Sequence, residues 1–354
     1  MGEPPTPGID METFRIPIQN LYYLLCYSWN YLKQGELIDI SRLSGATPVD
    51  LFAKVLCDGI EHLARRGLEK GYEPHEDEIA GIRGRINVLA SCRKFLPLHG
   101  RAVCQFDELT SNTLSNQILK STLRLLAQDP ALDKELQKRV QIIDQRLEGI
   151  SRVQLSSQCF RRVQLHSNNR FYRFLLSVCE FILRASLIDQ RSGKYKFRDF
   201  VRDERLMALV FQNFLFNFLR LELPDAKVKR EQIGWRASSE TDVELKLLPR
   251  METDISLRRG SQYTVIDAKY YQNTLNQHHG VDKLHSGNLY QLMGYLSNLP
   301  PDSSPKPSGM LIYPQVEKRL RHKYLIQGFE VMTCTINLNQ DWGDLKQEIL
   351  SLFH

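Results

Sequence analysis

Apolar side chains recur along this chain in two rhythms, one helical and one alternating, and the switches between them mark its elements. Apolar and aromatic residues are closely spaced over 16–32, and Leu51, Val55, Ile60 and Leu63 fall at near-helical intervals over 50–67, predicting two packed helices. Shorter alternation over 79–88, around Gly81-Ile82-Arg83-Gly84-Arg85-Ile86, and a second extended segment at 101–109 predict a small sheet. Helical spacing returns over 112–128 and 130–146, with Pro130 placed for a first helical turn. The polar stretch 149–169, with serines at 151, 156, 157 and 167, reads as a domain boundary. Beyond it come predicted helices at 171–187 and 203–221 and strands near 228–235, 252–257 and 263–271. The last two strands are joined by Arg258-Arg259-Gly260-Ser261, which suits a hairpin turn. A helix at 284–299, strands at 309–313 and 329–338, and a terminal helix from Asp341 complete the pattern. The expected organisation is a flexible leader (1–15), an α+β domain (16–167) and an α/β domain (168–354).

A length of 354 residues, about twice that of a typical domain, agrees with two packed bodies. With 42% hydrophobic and 25% charged residues, disorder and small disulfide scaffolds are excluded. The 47 Lys+Arg against 41 Asp+Glu leave a formal charge of +6, which permits a polyanionic partner without demanding one. No apolar run approaches the roughly 18 residues of a membrane span. The leader, with Pro4, Pro5 and Pro7, carries no export signal, so a cytoplasmic protein without membrane contact is expected. Its opening Met-Gly-Glu loosely fits a myristoylation pattern, but two prolines follow. Seven cysteines without a Cys-x-x-Cys pair argue against a disulfide framework or a structural zinc site and read as small buried hydrophobes. His278, His279 and His285 lack a second ligand pair at zinc spacing. Ser192-Gly193-Lys194 lacks the earlier glycine of a phosphate-cradling loop, so this chain is not expected to hydrolyse nucleotide itself.

The candidate chemistry lies on the predicted hairpin. Residues two apart on a strand share a face, so Asp267 and Lys269 project together, and the hairpin brings Asp254 alongside them. Val265 and Ile266 mark an inner strand, where charges without compensation would be costly. A hard divalent cation explains them: magnesium takes one or two carboxylates and completes its shell with water or phosphate oxygens. An ammonium beside it offsets charge developing on a scissile phosphate. The alternative is a buried salt bridge without catalytic duty. The predicted helix at 284–299 adds Gln291 and Tyr295, four apart on one face, with Asn288 a turn earlier. Glu204 could supply a further carboxylate from the preceding helix, with Gln212 a rival for that place. Lys283 and His285, just ahead of the helix carrying Gln291, read as phosphate contacts or as surface residues. Arg83 and Arg85, two apart on an extended segment, point the same way and suit a partner or phosphate contact, or a solvated basic turn.

A helical Glu, then Asp254, then Asp267-Ala268-Lys269, then a Gln-x-x-x-Tyr helix resembles the PD-(D/E)xK nuclease superfamily, particularly its RecB-like branch. Several segments make the chain similar to the McrC family, the nuclease subunits of McrBC modified-cytosine restriction systems. They are Ile16-Pro17-Ile18-Gln19-Asn20-Leu21-Tyr22-Tyr23, Phe106-Asp107-Glu108-Leu109-Thr110 and Leu248-Pro249-Arg250-Met251-Glu252-Thr253-Asp254, together with the glycine-arginine run at 81–86. The resemblance implies a PD-(D/E)xK fold for 168–354 and a partner-binding α+β domain before it. It implies that Asp254, Asp267 and Glu204 hold Mg²⁺, that Lys269 is the catalytic lysine, and that Gln291 and Tyr295 stand behind the site. It further implies a McrB-like hexameric AAA+ GTPase as partner, GTP bound only by that partner, and double-stranded DNA containing modified cytosine as substrate. The first motif departs from the superfamily in having Thr253 where proline precedes the aspartate. An autonomous repair or recombination nuclease, and a non-catalytic activator of a GTPase ring, are the competing readings.

Overall fold

β-Branched and aromatic residues crowd the segment Gln262–Ala268, and a strand buried on both faces is where such a run is most stable. In the computed structural model it is an inner strand of a six-stranded sheet. The structure describes residues 16–353 apart from 42, 44, 45, 166–168, 189–194, 198–199, 272–275, 279–280, 301–304 and 317, and it omits the side chains of 187–188, 195–197, 202, 276–278 and 281–283. The expected leader, His279 and the side chain of Lys283 therefore lie outside the described residues.

From one edge to the other the strands run Arg321–Ile326, Phe329–Ile336, Pro307–Pro314, Gln262–Ala268, Ile255–Arg259 and Lys227–Lys229. Pro307–Pro314 is parallel to both of its neighbours, and the remaining pairings are antiparallel, so the sheet is mixed. Parallel neighbours need a crossover, which the helix Ser286–Asn298 supplies between Gln262–Ala268 and Pro307–Pro314. Its Leu292 and Leu296 settle over Gly309, where an added Cβ would come within 2.9 Å of both. Tyr263, Val265, Leu311, Tyr313 and Val331 form the face under that helix.

A helix at Glu204–Glu222 packs against Gln262–Ala268 as well, and the Phe211 ring meets Tyr270 at 6.1 Å. The N-terminal helix Ile18–Ser28 packs on this same helix. Tyr27 lies 5.8 Å from Phe214 and 5.3 Å from Phe218, ring to ring. The Asn217 amide donates to the Tyr27 carbonyl at 2.9 Å, and Asn20 donates to the Leu338 carbonyl at 2.9 Å. These contacts change the domain assignment. One compact unit comprises Met1–Gly45 with Asp199–His354, and the other Ala46–Arg198. The boundary expected between 167 and 168 falls inside the second unit, and residues 153–162 of the polar stretch are tied down rather than free: the Val153 amide donates to Ser121 Oγ at 2.9 Å, and Ser156 caps the short helix Ser157–Arg162.

The second unit is α+β. Four amphipathic helices, Pro48–Arg66, Leu114–Ala127, Lys134–Arg146 and Arg170–Ala185, pack together, with Phe52 against Phe181 at 5.5 Å. The Lys134–Arg146 helix starts after Asp133, whose carboxylate accepts from the Glu135 and Leu136 amides, and not at Pro130. From this bundle extends an arm in which Gly71–Ala80 pairs along its whole length with Arg101–Thr110, and Arg85–Ile86 adds a short third strand. Gly84 bends the arm: its φ is +68°, and a Cβ there would overlap the Gln105 carbonyl oxygen. That bend corrects the expectation for Arg83 and Arg85. Arg85 pairs opposite Gln105, whereas the Arg83 guanidinium lies 4.2 Å over the Phe106 ring, so the two arginines serve opposite faces.

Gly71–Ala80 and Arg321–Ile326 are among the strands that exceed what the sequence pattern suggests. Gly71–Ala80 hides its alternation behind four acids and Pro74, and Arg321–Ile326 is a basic edge strand with no apolar rhythm. All seven cysteines are free; Cys92 is exposed, contrary to expectation, and the others are buried. No helix among the described residues is long and apolar enough to cross a membrane.

Candidate functional site

Asp254 immediately precedes the strand Ile255–Arg259, in which Ile255 is the partner of Ile266. Continuing that antiparallel register sets Asp254 across from Asp267 on the same face. Thr253 fixes the approach: its amide donates to the Glu231 carbonyl at 3.0 Å, and its hydroxyl accepts from the Glu231 amide at 3.0 Å. A proline at 253 could not donate the first of these bonds. The threonine therefore anchors the strand entry through both of its polar groups.

Asp267 is completely buried at the end of the inner strand. Lys269, two residues on, continues the ladder by donating its amide to the Ile312 carbonyl at 3.0 Å. Its ammonium lies 2.8 Å from Asp267 Oδ1 and 3.8 Å from Asp254 Oδ2. Asp254 Oδ2 also accepts from the Ala268 amide at 3.0 Å, and Asp254 Oδ1 accepts from the Gln212 side-chain amide. Asp267 Oδ2 is buried and has no hydrogen-bond donor. Burial pushes the Asp267 carboxyl up to about 7; Lys269 pulls it down and Asp254 pushes it further up. Burial disfavours the Lys269 charge, yet the two carboxylates outweigh that and hold its pKa above the ordinary lysine value. The ammonium is therefore a fixed positive charge.

The crossover helix completes the surroundings. Gln291 donates to the Tyr295 hydroxyl at 2.7 Å, and burial, together with the charges of Asp267 and Asp254, raises the tyrosine pKa. Asn288 donates to the Tyr313 hydroxyl at 3.2 Å and accepts from Tyr271 at 3.1 Å. Tyr313, pushed up to about 12 mainly by burial, also feels the Asp267 charge. His285 occupies the N-cap of this helix with its ring stacked on Tyr271 at 4.4 Å.

The structure thus gathers Asp254, Asp267 and Lys269, and the charges of all three reach Tyr295, which Gln291 holds. Glu204 stands apart from them. It is exposed on the first turn of its helix, eight residues from Gln212 and so about 12 Å along the axis. Gln212 takes the place expected for Glu204, and its only sequence signal is a polar residue on an otherwise buried helical stretch. Arg83 and Arg85 belong to the other unit.

The donor set suits a hard cation. The bare Oδ2 of Asp267 and the oxygens of Asp254 are the kind of ligand magnesium prefers. Among the described residues no three His, Cys, Asp or Glu side chains converge on one point. A cation held here would therefore complete its shell with water or phosphate oxygens, as magnesium commonly does.

Comparison with known proteins places this geometry in context. At 15% identity and a TM-score of 0.60 the fold is similar to a chain in the half-complex from a tetradecameric assembly of Thermococcus gammatolerans McrB AAA+ hexamers with bound McrC, covering 95% of this chain and 76% of that one. In sequence, the chain is 41% identical over 343 residues to the Type IV methyl-directed restriction enzyme EcoKMcrBC of Escherichia coli (strain K12), covering 97% of this chain and 99% of that protein. Residues 18–314 match the family described as McrBC 5-methylcytosine restriction system component. With both the family match and that relative spanning most of its length, the chain belongs to the McrBC family of 5-methylcytosine restriction system components.

Proposed function

We propose that this chain is the DNA-cleaving subunit of a GTP-dependent, modified-cytosine-specific restriction system, with a PD-(D/E)xK active site at Asp254, Asp267 and Lys269. The observation that carries the reading is the buried Asp267 carboxylate, which holds Lys269 through one oxygen and leaves the other without a donor. Such an oxygen is costly unless a cation or a proton meets it.

In this reading Asp254 and Asp267 would hold Mg²⁺, which supplies Lewis acidity toward a phosphoryl oxygen and acidifies a bound water. Lys269, kept charged by its two carboxylates, places a positive charge where the phosphate gains negative charge in the transition state. Gln212 and the Ala268 amide fix both oxygens of Asp254, so that this carboxylate meets its ligand in one orientation. Gln291 orients the Tyr295 hydroxyl beside the cluster.

The relative's and the neighbour's names speak of methyl-directed restriction and of McrB AAA+ hexamers, and we extend both to this chain as substrate and partner. The arm supports the partner. Ile82, Phe95 and Leu98 are 72%, 68% and 80% exposed at its far end, and apolar groups gathered there fit a protein contact. Stimulation of the partner's GTP turnover is assigned to this arm.

The test mixes the purified chain with its AAA+ GTPase, GTP, Mg²⁺ and DNA containing modified cytosine. Cleavage is expected with the partner, and Asp254→Ala or Lys269→Ala should abolish it while GTP turnover persists. Cleavage that survives in those variants rejects the site. Cleavage by the chain alone favours an autonomous nuclease, and GTPase stimulation without any cleavage favours a pure activator.

A further inference from the structure

The strand Arg321–Ile326 ends the six-stranded sheet, and the segment leading into it reads Lys318-Arg319-Leu320-Arg321-His322-Lys323. All of these residues except Leu320 are exposed, and no acid occurs from 318 through 329. Arg319 faces Glu348 at 3.7 Å across the fold. On the strand next to the opposite edge the partly buried arginines are paired with acids: Arg258 lies 3.4 Å from Glu231, and Arg259 lies 2.6 Å from Asp225. Edge strands often carry a lysine that blocks pairing with another chain, but that requirement accounts for one cation rather than a run of them.

The registers connect this edge to the candidate active site. Asp267 pairs with Leu311, Leu311 with Thr333, and Thr333 with His322. These four residues form one row across the sheet and point to one face. Three interstrand steps of about 4.8 Å put His322 about 14 Å from Asp267. On the same face Tyr324 stands beside His322, with ring centres 6.3 Å apart. Arg321 and Lys323 take the other face, and at a free edge their long stems can reach around the strand.

We infer that residues 318–324 form a backbone-tracking strip for double-stranded DNA, binding phosphates flanking the one that reaches Asp267. The inference rests on the nuclease reading for its ligand. At about 3.4 Å of axis per nucleotide of one strand, a 14 Å offset corresponds to about four steps along the duplex. The interleaved aromatic and cationic residues suit sugar-phosphate contacts that carry no sequence preference.

The test measures binding of the full chain to an unmodified duplex by fluorescence anisotropy, in chelator so that nothing is cut, over a range of salt. Replacing Arg319, Arg321 and Lys323 together by Gln should lower the slope of log affinity against log salt by about 2 to 3, and weaken binding about 10- to 100-fold at low salt. The charge-conserving set Arg319→Lys, Arg321→Lys and Lys323→Arg should keep the wild-type slope. A control of equal charge loss, Lys134→Gln, Lys138→Gln and Arg146→Gln on an exposed helical face of the other unit, should change it by less than about 1. An unchanged slope in the first set, or an equal fall in the control, overturns the strip. If the triple variant melts early, Lys323→Gln alone should still lower the slope by about 1, and no change there overturns the strip as well. Failure of the nuclease reading is separate: it shows as cleavage surviving Lys269→Ala, which leaves these slopes untouched.

Discussion

The cluster at Asp267 and the arm at Gly71–Thr110 handle charge in opposite ways. In the cluster, two buried carboxylates hold one partly buried ammonium, and every described polar atom but Asp267 Oδ2 has a partner. Along the arm, acids stand on the surface, Glu73 is set directly opposite Glu108, and the neighbouring cations approach loosely, Lys94 at 3.5 Å and Arg101 at 3.4 Å from Glu78. Like charges directly opposed weaken a hairpin, and exposed ion pairs restore little. The full-length backbone ladder must therefore hold the arm, which leaves its exposed apolar residues Ile82, Phe95 and Leu98 available to another molecule. In the proposed function, buried charge marks the region assigned to chemistry, and exposed apolar surface marks the region assigned to recruitment.

The largest effect that could break this contrast comes from Lys269. Its removal leaves two buried carboxylates facing one another, so Lys269→Ala should lower cleavage by about 10²- to 10³-fold or more, and also destabilise the metal-free fold by about 3 to 5 kcal/mol. Cleavage assays and thermal melts on one preparation check both. An equally stable variant would mean that the cluster is solvated and the comparison false.

The cluster should also leave a trace in pH. Asp267 moves from 3.8 to about 7 on folding, so between these values the folded chain binds a proton that the unfolded chain has released. Stability contributed by that proton is present at low pH and lost as pH rises across the interval. In chelator, the melting temperature should fall from about pH 4.5 to about pH 7.5, and Asp267→Asn should flatten this part of the curve by on the order of 2–4 kcal/mol. Parallel curves for the two proteins would show that the carboxyl is not buried in solution.

The arm predicts the reverse behaviour. Replacing Ile82, Phe95 and Leu98 by Ser removes exposed apolar groups, so the stability of the free chain should shift by no more than about 0.5 kcal/mol per site. Affinity for the AAA+ partner, read by calorimetry or by co-elution, should drop about 30-fold or more. Nuclease activity assayed with saturating partner should return. If affinity is unchanged, the exposed apolar groups serve some other contact.

These two regions were unequally legible in the sequence. Asp267 and Lys269 stand out because an apolar run demands burial and period-two alternation fixes their common face, and both signals are local. The arm is concealed by Pro74 and its acids, which resemble loop composition, and its pairing partner lies thirty or so residues away in the chain. The domain boundary was misread because the Ile18–Ser28 helix joins Glu204–Glu222 through contacts such as Asn217 to Tyr27, and no local pattern encodes a partner so distant. The basic edge strand lacked any apolar rhythm, so its pairing with Phe329–Ile336 could be seen only in three dimensions.

The smallest effect concerns the residue that sequence reasoning ranked second. Gln212 donates to Asp254 from within a largely buried helix, whereas Glu204 is exposed about two turns earlier. A hydrogen bond to a charged group contributes about 1.5 to 3 kcal/mol, and part of that holds Asp254 in one rotamer. Gln212→Ala should therefore lower the cleavage rate at saturating DNA about tenfold while leaving DNA affinity within about twofold, because it acts through Asp254 and not on the duplex. Glu204→Ala should leave both quantities within about twofold. Gln212→Asn, one methylene shorter, should behave like the alanine variant if the reach of the amide to Asp254 is what matters. A Glu204 variant that loses cleavage while the Gln212 variants retain it would return the supporting role to the carboxylate on the exposed first turn.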